Sequence, residues 1–395
     1  MSVTAAAAKK EKIPSAEGAA PCVSVVVPIY NQEKYLQKAL SSLQRQTLQN
    51  MEFICVNDGS TDRSLEIMRQ FAAEDPRFVI IDKPNSGYGH SMNVGMDAAK
   101  GQYVGILEPD DYVPSDMYET LYVLAVENTL DLVKADYYRF YELPDGSVER
   151  ERVHLCPDKA DYSRLVDPAN ELKSFSFAMN TWSGIYLTDF IRRNRIRHNE
   201  TPGAAYQDNG FWFQTFCLAH RARFVDQPFY MYRQDNPNSS INNKRNYTAI
   251  TEEYRFIENW LAHNPKLKQK YEGVMLEKKF LNCMHTYRHL QDDLKKDCLS
   301  HIRAEFLPPF QEGRLDKKLF SPASWHKLQL ILHRPEAFDR RYRFTISQRV
   351  ASKEYHGLLA PLFRKIHTLW CVLRYGDCKV LQDVLNKKLK GSRAR

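Results

Sequence analysis

Val23-Ser24-Val25-Val26-Val27-Pro28-Ile29 is the stretch on which the fold turns. It is a short β-branched run with little polar alternation, the pattern of a parallel strand covered on both faces. Leu36, Leu40, Leu43 and Leu48 follow at roughly helical spacing. Phe53-Ile54-Cys55-Val56 predicts a second strand, and Leu65, Ile67, Met68 and Phe71 a helical stripe. Val79-Ile80-Ile81 predicts a third strand. Met92 to Ala99 predicts a helix stopped by Gly101, a residue suited to a left-handed helix end. Tyr103-Val104-Gly105-Ile106-Leu107 predicts a fourth strand, running into Glu108-Pro109-Asp110-Asp111. This alternation predicts an α/β fold, a doubly wound, mostly parallel sheet. Such sheets bind ligands at the carboxyl ends of their strands, where strand order reverses.

Further along the chain the pattern changes. Leu143-Pro144-Asp145-Gly146-Ser147 predicts a hairpin turn between two short strands. Trp182 to Tyr186 predicts a strand, Phe211 to Ala219 a helix, and Arg223 to Tyr232 an extended segment. Beyond Asn246 the sequence predicts helices broken at Pro265, Pro308-Pro309, Pro322 and Pro335. The chain has 395 residues, more than one core usually holds. The expected organisation is a disordered leader over 1–20, a domain over 21–245, and a helical region over 246–395. Within the domain, 21–135 and 136–245 read as two parts.

Composition narrows the function classes. Hydrophobic residues make up 43% and charged residues 26%, a globular balance. No apolar run reaches the ~18 residues of a membrane-spanning helix. The eight cysteines include no C-x-x-C pair, so neither a zinc site nor a redox motif is expected. Scattered free thiols fit a reducing, cytoplasmic setting. Net charge is +8, but Ala351 to Arg395 holds ten Lys or Arg against three acids, a balance of +7. The rest of the chain is therefore near neutral, which argues against a nucleic-acid-binding surface. Leu358, Leu359, Leu362, Phe363, Ile366, Leu369, Trp370 and Leu373 form an apolar stripe among the tail's cations. It reads either as a helix on an anionic membrane surface or as a helix packed on the protein.

The acidic residues fall where an α/β sheet places ligands. Asp58 follows the second strand, and Asp110 and Asp111 follow the fourth. Adjacent carboxylates are costly unless a positive partner sits beside them. A divalent cation with a nucleoside diphosphate is one such partner, and hard oxygen ligands suit Mg²⁺ or Mn²⁺. The other reading is a turn with helix-capping acids, a role open to Asp62 and Asp116.

Five motifs in order resemble glycosyltransferase family 2, which has the GT-A fold. They are V-S-V-V-V-P-I-Y-N over 23–31, V-N-D-G-S-T-D over 56–62, the segment 85–101, L-E-P-D-D-Y over 107–112, and Y-Q-D-N over 206–209. The resemblance covers about 22–240, and it implies that 21–135 is the nucleotide-binding part and 136–245 the acceptor side. It implies that Pro28 and Tyr30 line the base pocket, that Asn31 binds the donor nucleotide, that Asp58 hydrogen-bonds the base, and that Asp110 lies near the ribose and donor sugar. It implies metal contact by Asp111 with Asp110, and Asp208 as catalytic base. Asn93, with His90, would shape the donor pocket.

Three departures stand out: Asn57 for the first Asp of the usual pair, Glu108-Pro109 for the usual D-x, and Gln207 for the Glu before the base. No Q-x-x-R-W motif of processive synthases is present. The resemblance therefore implies an inverting, metal-dependent transferase that moves one sugar per encounter. Its donor would be a nucleotide sugar, UDP-linked by default, and its acceptor a glycan or lipid-linked hydroxyl, in cell-surface polysaccharide synthesis. Some readings stay double. Arg233 is a ligand for the diphosphate or an ion-pair partner of Asp235. Trp182 stacks on an acceptor sugar or is a buried strand aromatic. Asp208 is the base or caps a helix near Phe211, and Gln207 leaves acceptor binding open. A sugar-nucleotide nucleotidyltransferase shares this kind of core, but its G-x-G-x-R loop is missing. A non-catalytic binding protein would have little reason to keep Asp58, Asp111 and Asp208 together.

Overall fold

The computed structural model describes residues 20–143, 145–239 and 247–342. The basic stripe and tail that begin near Leu358 lie outside the described residues, as does the leader up to residue 19. The first part of the chain runs β1 (Val23–Ile29), α1 (Leu36–Gln44), β2 (Met51–Asp58), α2 (Ser64–Glu74), β3 (Phe78–Lys83), α3 (Tyr88–Ala98), β4 (Tyr103–Ile106) and α4 (Met117–Glu127). It continues with β5 (Leu132–Glu142), β6 (Val148–Val153), β7 (Gly184–Leu187), α5 (Thr188–Arg193), α6 (Gln207–Leu218) and β8 (Ala222–Arg233). Helices α7 (Ala249–Ala262), α8 (Pro265–His289), α9 (Lys295–Gln311) and α10 (Pro322–His333) follow. Contacts divide the chain into two compact units at Asn242, with Arg255–Trp260 grouped with the first.

The sheet order is β3-β2-β1-β4-β7-β5-β6, with β8 paired to β5. Strands β3, β2, β1 and β4 are mutually parallel, and β5–β8 is parallel too. Strand β7 runs antiparallel to both β4 and β5. The expected doubly wound, mostly parallel sheet is what forms, with β7 and β6 as its antiparallel members. Every residue of β1 and β2 is buried, which is why β1 reads as a continuous apolar run. Chain order reverses between β1 and β4, so the crevice of a doubly wound sheet opens there. Pro28 in the last residues of β1, Tyr30 just beyond it and Asp110-Asp111 after β4 all lie at this point.

Several elements differ from the sequence expectation. Helix α1 ends at Gln44, short of Leu48. Helix α3 begins at Tyr88, a turn before Met92. It ends through Ala99 in extended geometry, and Gly101 is not left-handed there. Gly101 is small for another reason: a Cβ on it would stand 2.5 Å from the Ser24 amide nitrogen. Helix α6 begins at Gln207, ahead of Phe211. Pro265 and Pro322 open α8 and α10, where a missing N–H costs nothing. Pro308 and Pro309 instead lie inside α9, in its last turn, where little helix remains to be broken. No helix among the described residues is long and apolar enough to cross a membrane.

Candidate functional site

Three loops meet at the carboxyl ends of β1 and β2. Asn31 takes a left-handed backbone, with φ of 51°, and its side chain accepts a hydrogen bond from the Thr61 amide at 2.8 Å. The Asn31 amide donates to Ser60 Oγ at 3.1 Å, so the two loops are stitched together. Tyr30 beside it is 48% exposed, a large aromatic ring left open beyond the end of β1. Asp62 accepts from the amides of Glu33 and Ser64, one residue ahead of Arg63 at the N-cap of α2; Asp116 does stand at the N-cap of α4, but its side chain makes no capping hydrogen bond. Asp58 is buried. Its Oδ1 accepts from the Ser86 amide at 2.8 Å and its Oδ2 from the Gly87 amide at 2.9 Å, and Lys83 pairs with it. Asn57 explains its own departure from Asp. Its Nδ2 donates to Asp82 Oδ1 at 2.7 Å while its Oδ1 accepts from the Ser60 amide. A carboxylate at position 57 would face Asp82 with like charge.

The turn after β4 gathers three carboxyl groups. Glu108 Oε1 accepts from Tyr88 Oη at 2.7 Å, and burial pushes its proton affinity up to about 8. Asp110 Oδ2 accepts from Asn236 Nδ2 at 2.7 Å, and burial raises its pKa as well. Asp111 is 1% exposed. Its Oδ1 accepts from the Arg233 amide at 2.7 Å and its Oδ2 from Tyr230 Oη at 2.8 Å. Burial, then the charge of Asp110, holds Asp111 well above the usual carboxylate range. Arg233 is buried. Its guanidinium donates to Glu142 at 3.0 Å, to Asp235 at 3.1 Å, and through Nε to the Asp110 carbonyl at 2.9 Å. Of its two sequence readings, the ion pair with Asp235 is present.

The segment around α6 supplies a fourth carboxylate. Tyr206 is left-handed, with φ of 67°, and turns the chain into α6. Gln207 is buried. Its Oε1 accepts from the Ala205 amide at 2.5 Å and its Nε2 donates to Thr201 Oγ1 at 2.9 Å. An amide serves as donor and acceptor at once, which a Glu carboxylate cannot, so Gln fits this position. Asp208 lies in the first turn of α6, where free N–H groups and the helix dipole favour a carboxylate. Burial nevertheless pushes it up to about 6, opposed by nearby N–H groups and by the Lys134 cation. The charge of Asp208 in turn acts on Glu108, so α6 and the acidic turn share one electrostatic site.

Other expected residues are placed as follows. Asn93 is buried and donates to the His198 carbonyl at 3.0 Å and to Glu200 at 2.8 Å, tying α3 to the 198–200 segment. His90 keeps a buried Nδ1 without a hydrogen-bond partner. Trp182 is buried and stacks on Tyr230 at 4.3 Å between ring centres, so it supports the tyrosine that holds Asp111. A further cluster, Asp136, His154 and Asp226, has its polar atoms within 4.8 Å of one another. Arg152 already pairs with both acids there, and supplies the positive charge itself. The residues that sequence reasoning missed are Tyr88, Tyr230, Asn236 and Lys134. Only Lys134 carried a signal: a cation inside the apolar run Leu132-Val133-Lys134-Ala135.

A family profile described as Glycosyl transferase family 2 matches residues 24–207. EpsJ of Bacillus subtilis, described as an uncharacterized glycosyltransferase, is 35% identical over 225 residues, 55% of this chain and 62% of EpsJ. YibD of Escherichia coli, described in the same words, is 31% identical over 246 residues, 58% of this chain and 69% of YibD. The match reaches 30% of the length of the glycosyltransferase GlyA of Streptococcus pneumoniae; like EpsJ, GlyA is matched over less than two thirds of its length. In fold, the chain is similar to S. aureus TarS 1-349, with a TM-score of 0.61 over 81% of this chain and 91% of that one, at 18% identity. The GT-A sheet, the order of its acidic motifs and these relatives agree: the protein belongs to glycosyltransferase family 2.

Proposed function

We propose that the protein is an inverting glycosyltransferase that moves one sugar from a nucleoside diphosphate sugar to a hydroxyl of a glycan or lipid-linked acceptor. The observation that carries this reading is Asp208. It is a carboxylate at a helix N-terminus, beside the acidic turn, with its proton affinity pushed up to about 6. A general base works best when its pKa lies near the working pH. In the proposed step the acceptor oxygen attacks the anomeric carbon while Asp208 takes its proton. The bond to the diphosphate oxygen breaks with its electron pair, and a single displacement inverts the centre. Tyr30 offers an exposed ring for a nucleobase, with Pro28 and Asn31 beside it. Asp58, whose oxygens already accept from Ser86, Gly87 and Lys83, would meet a base N–H only through a remaining lone pair.

The acidic turn fits Mg²⁺ or Mn²⁺. Asp111 is buried and Glu108 and Asp110 are half-buried, the charge of Asp110 raises the proton affinity of both neighbours, and the guanidinium nearest them is already engaged by Glu142 and Asp235. Asp111 has both oxygens hydrogen-bonded inside the protein, so Asp110 is the better ligand of the two. A bound cation would offset the charge that grows on the leaving diphosphate. Wild-type protein should bind UDP more tightly when Mn²⁺ is added, by calorimetry, and Asp110→Asn should lose that gain. An undiminished Mn²⁺ effect in the variant would reject Asp110 as ligand.

The function itself is tested by nucleoside diphosphate release from a panel of UDP-, GDP- and dTDP-sugars with Mg²⁺ or Mn²⁺. UDP-GlcNAc, the compound bound in the TarS structure, is the first to try. No release from any donor, with or without glycan acceptors, would sink the reading. The cell-surface polysaccharide role and a cytoplasmic, membrane-facing position belong to the same proposal, through the basic tail. Anionic vesicles should sediment the full chain and leave a chain ending at Tyr355 in solution. Equal sedimentation of the two would remove the membrane role.

A further inference from the structure

Asn236 lies just beyond Arg233, the last residue of β8, and is 1% exposed. A polar side chain so deeply buried needs partners for its donor and its acceptor. Its Nδ2 donates to Asp110 Oδ2 at 2.7 Å, and its Oδ1 accepts from the Asn238 amide at 3.0 Å. The Ser239 amide donates to the Asn236 carbonyl at 3.2 Å, so side chain and main chain together close the turn over 236–239. The carboxamide is thereby oriented from both ends. Its oxygen is taken by the Asn238 N–H, which leaves the NH₂ to face Asp110. An ionised aspartate at this position would keep the turn contact and lose the other.

Asp110 and Asp111 are neighbours in sequence but are held differently. Asp111 has each oxygen engaged, by the Arg233 amide and by Tyr230 Oη, and acts as a strut. Asp110 is half-buried, and the chain around it is fixed from β8. Its carbonyl accepts from Arg233 Nε at 2.9 Å. The Glu108 amide before it donates to Tyr230 Oη at 3.0 Å, and Tyr112 after it pairs with Met231. With the main chain held, the freedom left to Asp110 is rotation of its side chain. Asn236 restrains that rotation by gripping Oδ2. No other residue among those described donates a hydrogen bond to Oδ1, so one oxygen of Asp110 is held and the other is left for a ligand.

We infer that Asn236 is a positioning residue for the metal, a fixed donor that turns Asp110 so that Oδ1 alone meets the cation. This rests on the reading of Asp110 as metal ligand. A ligand oxygen held in place beforehand loses less freedom when the ion binds. Groups that orient a ligand from behind in this way change metal affinity by about 10–100-fold when removed.

Asn236→Ser tests this. A serine hydroxyl accepts from the amide two residues on, so the 236–239 turn keeps its bond, but the side chain is too short to reach Asp110. UDP affinity of the full chain is measured by calorimetry with and without Mn²⁺, for wild type, Asn236→Ser, Asn236→Ala and Asp110→Asn, alongside each melting temperature. The gain in affinity that Mn²⁺ brings should shrink about 10–100-fold in Asn236→Ser, or vanish where it is smaller than that. UDP affinity without metal should match wild type. Asn236→Ala gives up the turn bond as well and should lose no more of the gain. An undiminished gain in Asn236→Ser, whatever its melting temperature, overturns the inference, as does a gain lost only in Asn236→Ala, which would make Asn236 a turn residue. Asp110→Asn keeps the two ideas apart. If it retains the gain, the ligand reading fails and the inference with it. If it loses the gain while Asn236→Ser keeps it, the ligand reading stands and the inference alone falls.

Discussion

Replacing Asp208 by Asn is expected to lower glycosyl transfer by about 10²–10⁴-fold, the usual worth of a positioned base, while UDP affinity stays at the wild-type level. The two side chains are nearly isosteric, so the change removes a proton acceptor and little else. Asn in the first turn of α6 forgoes the carboxylate's favourable place at the helix dipole, worth ~0.3–1 kcal/mol. Against that, burial disfavours the charge strongly enough to push the acid up to about 6. The variant should therefore melt no lower than wild type, the sign expected where a site is kept at the expense of stability. A variant that loses activity because its helix frays would melt lower and bind UDP weakly. The pH profile gives a second check. Asp208 is ionised above its folded pKa, so wild-type transfer should fall as pH drops through about 6. The residual activity of Asp208→Asn should show no such limb. Full activity in the variant would remove Asp208 from the mechanism.

The sheet was legible in the sequence wherever one physical cause dominated. β1 is covered on both faces, so every position had to be apolar or small, and the run from Val23 to Ile29 shows it. The start of α3 was hidden because Gly-Tyr-Gly-His carries no apolar period, although the helix begins at Tyr88. Pro308-Pro309 suggested a break, but proline in a last turn removes few helical hydrogen bonds. The carboxylates of the site were legible because a doubly wound sheet exposes its strand ends at one edge. Their partners were not. Tyr230 and Arg233 reach Asp111 from β8, far along the chain, and nothing local marks a tyrosine or an arginine on an extended segment as a support for a distant turn. Asn57 and Gln207 looked like weakened versions of a motif. Each proves to be an amide using donor and acceptor together, a requirement visible only once Asp82 and Thr201 are in place.

Arg233→Met should be the most destabilising single change at the site, by about 3 kcal/mol, the low end for breaking a buried ion pair. For a unit of this size that lowers the melting temperature by ~6–12 °C. Methionine keeps an apolar stem but removes the guanidinium, which lies over the Tyr35 and Phe140 rings as well as pairing with the acids, so the loss reports on the guanidinium. Its removal leaves Glu142 with Lys38 alone, Asp235 without its ion-pair partner and the Asp110 carbonyl without its donor. The low end is right because Glu142 is partly exposed, and water screens what Arg233 no longer does. Arg233→Lys should recover little, since one ammonium cannot span the two carboxylates and the carbonyl that the planar fork reaches. The pH dependence separates this account from simple loss of packing. Hydrogen bonding from Arg233 holds Glu142 down to about 2. A carboxylate with a depressed folded pKa stabilises the protein above its unfolded pKa of ~4.3, and that contribution is lost as pH falls toward the folded value. The difference in melting temperature between wild type and Arg233→Met should therefore be widest at neutral pH and narrow below about pH 4, as the acids Arg233 had paired become neutral in the variant. A gap that stays constant across that range would mean that Arg233 holds the acidic turn by its shape and not by its charge.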